Sequence, residues 1–227
     1  MPTQQRPPDR DRQRHVDACP YIQPRGRQSI DLRKHDYLHP DGHRLITTWF
    51  ERAWRARLDE ECTFESFVFA WIAVNAWAAC ITGKDRDSEY MDRLVHDSGL
   101  HLAFDQLYHG NPSFYDEAEA FFDLLPIFKA QHLRRIFLHL DESVPRKERI
   151  RCYFGEGLTE FEPACAQFHL ARGETIPRDW PHFIQAVYRV RCNLFHGEKS
   201  AHSEMDGQIV RAALLSLTTF FRGTQIL

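Results

Sequence analysis

One short run near the C-terminal end of the sequence combines arginine, asparagine and histidine at close spacing. It extends from Tyr188 to Gly197 and includes Arg191, Asn193 and His196. Arginine binds phosphate through a planar fork of N–H donors, and histidine takes or gives a proton near neutral pH. These residue types suit chemistry on a phosphodiester. Arg191 and His196 are therefore the candidate catalytic pair, and Asn193 is a candidate supporting residue.

The spacing of an arginine and a histidine separated by four residues is common in this chain. It occurs at Arg10 and His15, at Arg134 and His139, and at Arg191 and His196. Chance alone predicts roughly one or two such pairs in a chain of this composition. The third pair differs because it lies where an apolar helical pattern ends, and because Gly197 then lets a ligand or another backbone approach closely.

The helical periodicity of this run leaves two arginines as candidates. At about 100° per residue, Arg189, Asn193 and His196 share one stripe, whereas Arg191 points about 140° away from His196. Arg189 therefore remains a supporting or rival residue. A purely structural alternative is that Arg191 pairs with a carboxylate of a neighbouring helix and that His196 caps the carbonyls at its own helix end.

The length and composition of the chain predict one helical domain preceded by a tail. The chain has 227 residues, of which 43% are hydrophobic, enough for one ordinary core. Residues 1–30 are rich in Arg, Asp, Gln and Pro, and this composition predicts a disordered tail followed by a single domain over residues 31–227. The net charge of -3 argues against nucleic-acid binding by bulk positive charge.

Apolar residues recur at helical spacing through most of the predicted domain. Helices are predicted over 42–61, 64–82, 87–108, from 114 to near 126, over 127–140, near 164–171, from 180 to the motif, and from 203 onward. Thr63 and Ser113 are the expected N-caps of two of them, and Gly83 is an expected helix end. Because no alternating strand pattern competes, the fold class is all-α, an antiparallel helical bundle.

Asn75 lies in the most apolar predicted helix, where a side-chain amide must find hydrogen-bond partners. It either ties neighbouring helices together or reaches the motif histidine or arginine and holds it in place. The second possibility makes Asn75 a candidate supporting residue of the site.

Other residue combinations do not predict a metal or cofactor site. His35, His39 and His43 recur every four residues, but Pro40 and Gly42 break a helix through them. Cys165 and His169 have the spacing of ligands on one helix face, yet no second such pair completes four ligands. The six cysteines contain no C-x-x-C pair and favour a reducing cytoplasm, and no membrane segment is expected. We therefore expect neither metal nor cofactor.

Two segments of the chain resemble proteins of the HEPN-domain family. The run from Arg191 to Lys199 resembles the R-x(4–6)-H motif near the end of a long helix, within the Apea-like HEPN subgroup. The earlier helix from Phe64 to Trp77, with Trp71 and Asn75 one turn apart, is similar to an early helix of the same subgroup. The resemblance covers about residues 45–222. Family members often have Asn, Asp or His directly after the arginine, where this chain has Cys192.

The resemblance implies an endoribonuclease that cleaves RNA without metal by attack of the ribose 2'-hydroxyl. It implies a homodimer in which Arg191 and His196 are the catalytic pair, and a toxin or defence role in which an antitoxin or regulatory protein is a possible partner. An alternative is a catalytically inactive HEPN-like module that binds RNA, a nucleotide or a protein. A third is a helical adaptor whose motif is only structural.

Overall fold

The computed structural model describes residues 19–22, 29–129, 143–144, 160–196 and 204–227. Eight α-helices lie within these ranges, and they confirm the predicted all-α class. They are α1 (Pro40–Ala56), α2 (Thr63–Thr82), α3 (Asp87–Val95), α4 (Ser98–Gly110), α5 (Pro112–Asp123), α6 (Ala164–Ala171), α7 (Trp180–Phe195) and α8 (Glu204–Gly223). Lys34–Tyr37 forms a short 3-10 helix before α1.

The apolar helix α2 lies at the centre of the bundle and packs against α1, α3 and α8. Phe67, Ala70, Val74 and Trp77 are fully buried, as expected of a helix that is apolar almost all round. By length and composition α2 could also span a membrane, but half of that span is buried within the described part of the bundle. The helix ends at Gly83, whose positive φ of 65° suits glycine.

Aromatic side chains fill the core where α4, α7 and α8 meet. The rings of Trp180 and Phe220 stack with centroids 4.8 Å apart, and Phe104 lies 5.3 Å from Phe183. Trp180 Nε1 also donates to the carbonyl of Leu94 at 2.7 Å, so the start of α7 is bonded to the end of α3. Such aromatic contacts contribute about 0.5–1.5 kcal/mol each beyond the area they bury.

The predicted helix over 87–108 is wrong in one respect, because the chain forms two helices there. The buried carboxylate of Asp97 separates them: it accepts the Leu100 N–H at 2.9 Å and the Ile30 N–H at 2.8 Å. A side chain that accepts an N–H three residues later begins a new helix. Gly99, a poor helix former within the predicted helix, therefore lies in the first turn of a second helix whose N-cap is Asp97.

Two predicted N-caps are also wrong. Asn111, and not Ser113, caps α5 by accepting the Phe114 N–H at 3.1 Å. Thr63 lies inside α2, where its hydroxyl donates to the Glu60 carbonyl at 3.1 Å. In both cases the backbone bends into the helix earlier than the sequence pattern indicates.

The predicted helix over 127–140 is wrong at its start. Ile127–Lys129 forms strand β1, which pairs antiparallel with β2 (Glu160–Glu162), so that Ile127 lies opposite Glu162. Residues 130–140 lie outside the described ranges. The short helix near 164–171 and the helix beginning at Trp180 are confirmed.

Part of the segment predicted as a disordered tail contacts the bundle. Most of residues 1–30 lie outside the described ranges, but Cys19 is buried and Ile22 packs against the core. Ile30 is bonded to Asp97 through its backbone. The predicted tail therefore extends too far, because its residues 19–22 and 29–30 include positions that contact the bundle.

Substitution of Asp97 tests its role as the residue that joins α4 to the segment before α1. Asp97→Ala leaves two backbone N–H groups without their acceptor and should lower the free energy of unfolding by about 2 kcal/mol in urea denaturation. Asp97→Asn, which keeps an acceptor oxygen, should lose less. The matched control is Asp105→Ala on the exposed face of α4, expected to change stability by under about 0.5 kcal/mol. Equal losses for Asp97→Ala and Asp105→Ala would contradict this role.

Candidate functional site

Helix α7 carries the arginine and histidine motif at its C-terminal end. Asp179 accepts the His182 N–H at 3.1 Å and Pro181 occupies the first turn, so the start of the helix is well defined. Phe183, Val187 and other apolar residues bury one face of the helix against α3, α4 and α8. The last turn is therefore held by a buried helix body.

Arg191 is directed towards α3. Its Nη2 lies 2.8 Å from Asp87 Oδ2, and the two side chains are 22% and 28% exposed. The guanidinium also lies over the Phe195 ring at 4.8 Å and the Trp71 ring at 5.9 Å. This ion pair is the one that the structural alternative expects, a carboxylate supplied by a neighbouring helix.

Asn75 is half-buried and joins α2 to α3. Its Oδ1 accepts a short hydrogen bond from the Tyr90 hydroxyl. Burial, and then the negative charge of Asp87, raise the pKa of Tyr90 above its ordinary value. Among the described residues, Asn75 is linked to Arg191 through Tyr90 and Asp87, an arrangement that fits a residue tying neighbouring helices together.

Trp71 and Tyr188 line the same side of the motif helix, with ring centroids 5.9 Å apart. Burial, followed by the neighbouring Cys192 thiol, raises the pKa of the Tyr188 hydroxyl. Within the described ranges the buried Nε1 of Trp71 and Nε of Arg191 have no hydrogen-bond acceptor. Asp87 and Tyr90 are neighbours of the motif arginine that the sequence does not predict, because both lie on α3, about 100 positions earlier in the chain.

Asn193 and Cys192 belong to the motif but are less exposed than His196: Asn193 is buried and Cys192 is half-buried. Asn193 is 2% exposed, and its Nδ2 has no acceptor among the described residues. The Cys192 sulfur lies 4.0 Å from Arg191 Nη1. Asn193 is placed within the bundle rather than on the surface that a substrate would contact.

Arg189 and His196 occupy the outward stripe. Arg189 is 43% exposed and its Nη1 lies 3.8 Å from Glu162 Oε1, a loose ion pair with the short ribbon. His196 is exposed at the helix end, where its backbone N–H donates to the Cys192 carbonyl at 2.9 Å. The stripe therefore presents a guanidinium and an imidazole to solvent. Gly197 and the rest of the run to Lys199 lie outside the described ranges.

A second group of chemically active side chains lies at the opposite end of α7. Ligand atoms of the buried residues Cys19, His169 and His182 lie within 4.8 Å of one another. The sequence places His169 and Cys165 on one helix face but does not predict the further ligands that a metal site needs. Cys19 is 150 positions away from His169 in the chain, and His182 lies on the next helix.

The histidines near the start of the domain also approach one another, although not on one helix. His35 and Asp36 belong to the 3-10 helix and His43 to α1, which begins at Pro40 and includes Gly42. The His35 and His43 rings stack at 5.7 Å, and Asp36 is bonded to Arg33 at 2.7 Å. The ion pair with Arg33 already neutralises the carboxylate of this group.

No protein-family model, no curated protein and no solved structure matches this chain. The two ends of α7 provide the two candidate sites.

A double-mutant cycle on Arg191 and Asp87 measures how strongly the motif arginine is tied to α3. Because the pair is partly buried at 2.8 Å, Arg191→Ala and Asp87→Ala should show a coupling energy of about 1–2 kcal/mol in urea denaturation. The matched control is the exposed pair of Lys84 and Glu89, with an expected coupling below about 0.5 kcal/mol. A coupling for the motif pair no larger than the control would show that the ion pair does not hold the helix end.

Proposed function

We propose that this chain is a HEPN-like endoribonuclease that acts as a homodimer and needs no divalent metal for cleavage. The observation that carries the proposal is the exposed stripe of Arg189 and His196 at the end of a buried helix. A rigid helix body keeps catalytic side chains within a narrow range of positions, which general acid–base chemistry requires.

The proposed reaction needs only groups that arginine and histidine supply. The ribose 2'-oxygen forms a bond to phosphorus while the bond from phosphorus to the 5'-oxygen breaks. A base removes the proton of the 2'-hydroxyl, and an acid gives a proton to the departing 5'-oxygen. The products are a 2',3'-cyclic phosphate and a 5'-hydroxyl, and DNA cannot react because it lacks the nucleophile.

Two copies of the chain supply a complete acid–base pair. One His196 takes the 2'-hydroxyl proton and the other His196 protonates the leaving oxygen, so a homodimer provides what one copy lacks. A guanidinium binds the charge that grows on the phosphoryl oxygens, an effect of about 100-fold or more in related chemistry. Arg191 has this role by resemblance to the HEPN motif, and Arg189 is its rival because it shares the stripe of His196.

The proposal includes a HEPN-like role as a toxin or defence nuclease, controlled by an antitoxin or regulatory protein in the cytoplasm. This part of the proposal rests on the resemblance alone. A nuclease that acts on cellular RNA must be held inactive until it is needed. A protein partner that covers the exposed stripe of Arg189 and His196 would do this directly.

One observation favours a second candidate, an inactive HEPN-like module that binds RNA, a nucleotide or a protein. Arg191 is already paired with Asp87 inside the chain, and the amide of Asn193 is buried. A guanidinium that must leave its carboxylate before it can bind phosphate is a weaker catalyst than one that is poised. Retained binding without cleavage would identify this second candidate.

Cleavage of RNA in a buffer without divalent metal tests the proposed function. The wild type should release fragments with 2',3'-cyclic phosphate ends, whereas His196→Ala should be slower by about 100-fold or more. Arg189→Ala and Arg191→Ala, assayed side by side, identify the phosphate-binding arginine by the larger loss. An RNA with a single 2'-deoxy residue at the cut position should resist cleavage there.

The controls match the site residues in type and lie on other helices. His109→Ala alters an exposed histidine in the last turn of α4, and Arg55→Ala alters an exposed arginine of α1, so both should cleave as the wild type does. Far-UV circular dichroism checks that each variant is folded. Intact RNA with the wild type, or equal cleavage by His196→Ala and His109→Ala, rejects the nuclease.

A further inference from the structure

We propose that Cys19, His169 and His182, together with Cys165, form a structural zinc site at the N-terminal end of α7. This site is separate from the motif of the proposed nuclease. His182 lies in the first turn of the helix and His196 follows its last turn, about 20 Å away at 1.5 Å per residue. The zinc site therefore neither requires nor excludes nuclease activity.

The orientation of the two histidines is the main argument for a metal. His182 Nδ1 lies 2.5 Å from Asp179 Oδ1, and His169 Nδ1 lies 3.0 Å from Glu174 Oε2. A carboxylate only accepts hydrogen bonds, so each Nδ1 carries a proton, and in the neutral ring each Nε2 presents a lone pair. A histidine held in this way by a carboxylate is the usual arrangement of a zinc ligand.

The lone pairs of both Nε2 atoms are buried without a donor. His169 and His182 are each 3% exposed, and neither Nε2 has a hydrogen-bond partner within the described ranges. A buried acceptor without a partner costs about 1–3 kcal/mol, and here two occur in one cluster. A cation between the two rings, whose centroids are 5.1 Å apart, would satisfy both.

Cys19 places a thiol beside these two imidazole rings. The ligand atoms of Cys19, His169 and His182 lie within 4.8 Å of one another, and all three residues are buried. Ligands around tetrahedral zinc are separated by roughly 3.4–3.8 Å, from bond lengths of about 2.0–2.3 Å. The cluster is therefore close to the required size and would contract by about 1 Å on binding.

Cys165 supplies the fourth ligand. It is fully buried and precedes His169 by four residues on α6, so the two side chains lie on one helix face. Its sulfur is not among the ligand atoms that lie within 4.8 Å of one another, so Cys165 would have to turn towards the other three ligands on binding. Its sulfur now lies 3.6 Å from Gln185 Oε1 and would leave that contact to bind the metal.

The ligand set identifies zinc and a structural role. Two thiolates and two imidazoles in a tetrahedral arrangement are characteristic of zinc, and four protein ligands leave no open position for water or substrate. The site joins three separate segments: residues 19–22, α6 and the first turn of α7. Binding would therefore hold α6 and the N-terminal segment against the helix that carries the motif.

Metal analysis of the full chain tests the proposal. Protein produced with zinc in the medium and purified without chelator should contain one zinc per chain by mass spectrometry of the metal. Cobalt in place of zinc should give the absorption of a tetrahedral site with thiolate ligands. Removal of zinc from the wild type should lower the melting temperature by roughly 5 °C or more, and added zinc should restore it.

Variants identify the ligands without depending on nuclease activity. Cys19→Ser and His169→Gln should contain less than about one fifth of the wild-type zinc, because loss of one of four ligands weakens binding strongly. Cys62→Ser and His109→Gln are the matched controls outside the cluster and should keep full zinc. Should a variant fail to fold, titration of the metal-free wild type against a coloured zinc chelator still measures binding.

Two results would overturn the zinc site, and a third would overturn the assignment of its fourth ligand. One is wild-type protein with no more zinc than Cys19→Ser. Another is a disulfide between Cys19 and Cys165, detected by mass spectrometry as the loss of two hydrogens in protein prepared without oxidant. Full zinc in Cys165→Ser would remove Cys165 as the fourth ligand.

Discussion

The burial of one face of α7 is the constraint on which both candidate sites depend. Apolar side chains along this helix pack against α3, α4 and α8, and the Trp180 indole is bonded to the end of α3. A helix held along its length keeps its two ends about 24 Å apart in a fixed orientation. The histidine cluster at one end and the arginine and histidine stripe at the other are positioned by the same packing.

This packing determines which polar side chains of the motif helix face a neighbouring helix and which face solvent. Arg191 lies on the side that meets α3 and is neutralised by Asp87, while Arg189 and His196 lie on the side that faces solvent. A partly buried guanidinium without a carboxylate would be costly, so the ion pair is a requirement of the fold as much as a property of the site. One side of the motif therefore contributes to packing, and the other side faces solvent.

The helices that the sequence predicts best are those whose patterns are strong and whose ends are marked locally. The apolar run of α2 ends at Gly83, and α7 begins with Asp179 and Pro181, where short-range chemistry determines the boundary. The break at Asp97 and the strand at Ile127 were missed. The strand depends on a remote partner, Glu162, whereas the break depends on Asp97, whose carboxylate accepts both the local Leu100 N–H and the remote Ile30 N–H.

The sequence by itself determined the helical class, the central position of α2 and the run that ends at His196, because helical periodicity and helix-end residues act over a few positions. Only the tertiary structure decided which arginine is paired with a carboxylate, that Asn75 bonds to Tyr90, and that Cys19 meets His182. These contacts join residues separated by up to about 160 positions. No local sequence pattern predicts these contacts, because they follow from the way that whole helices pack to bury their apolar faces.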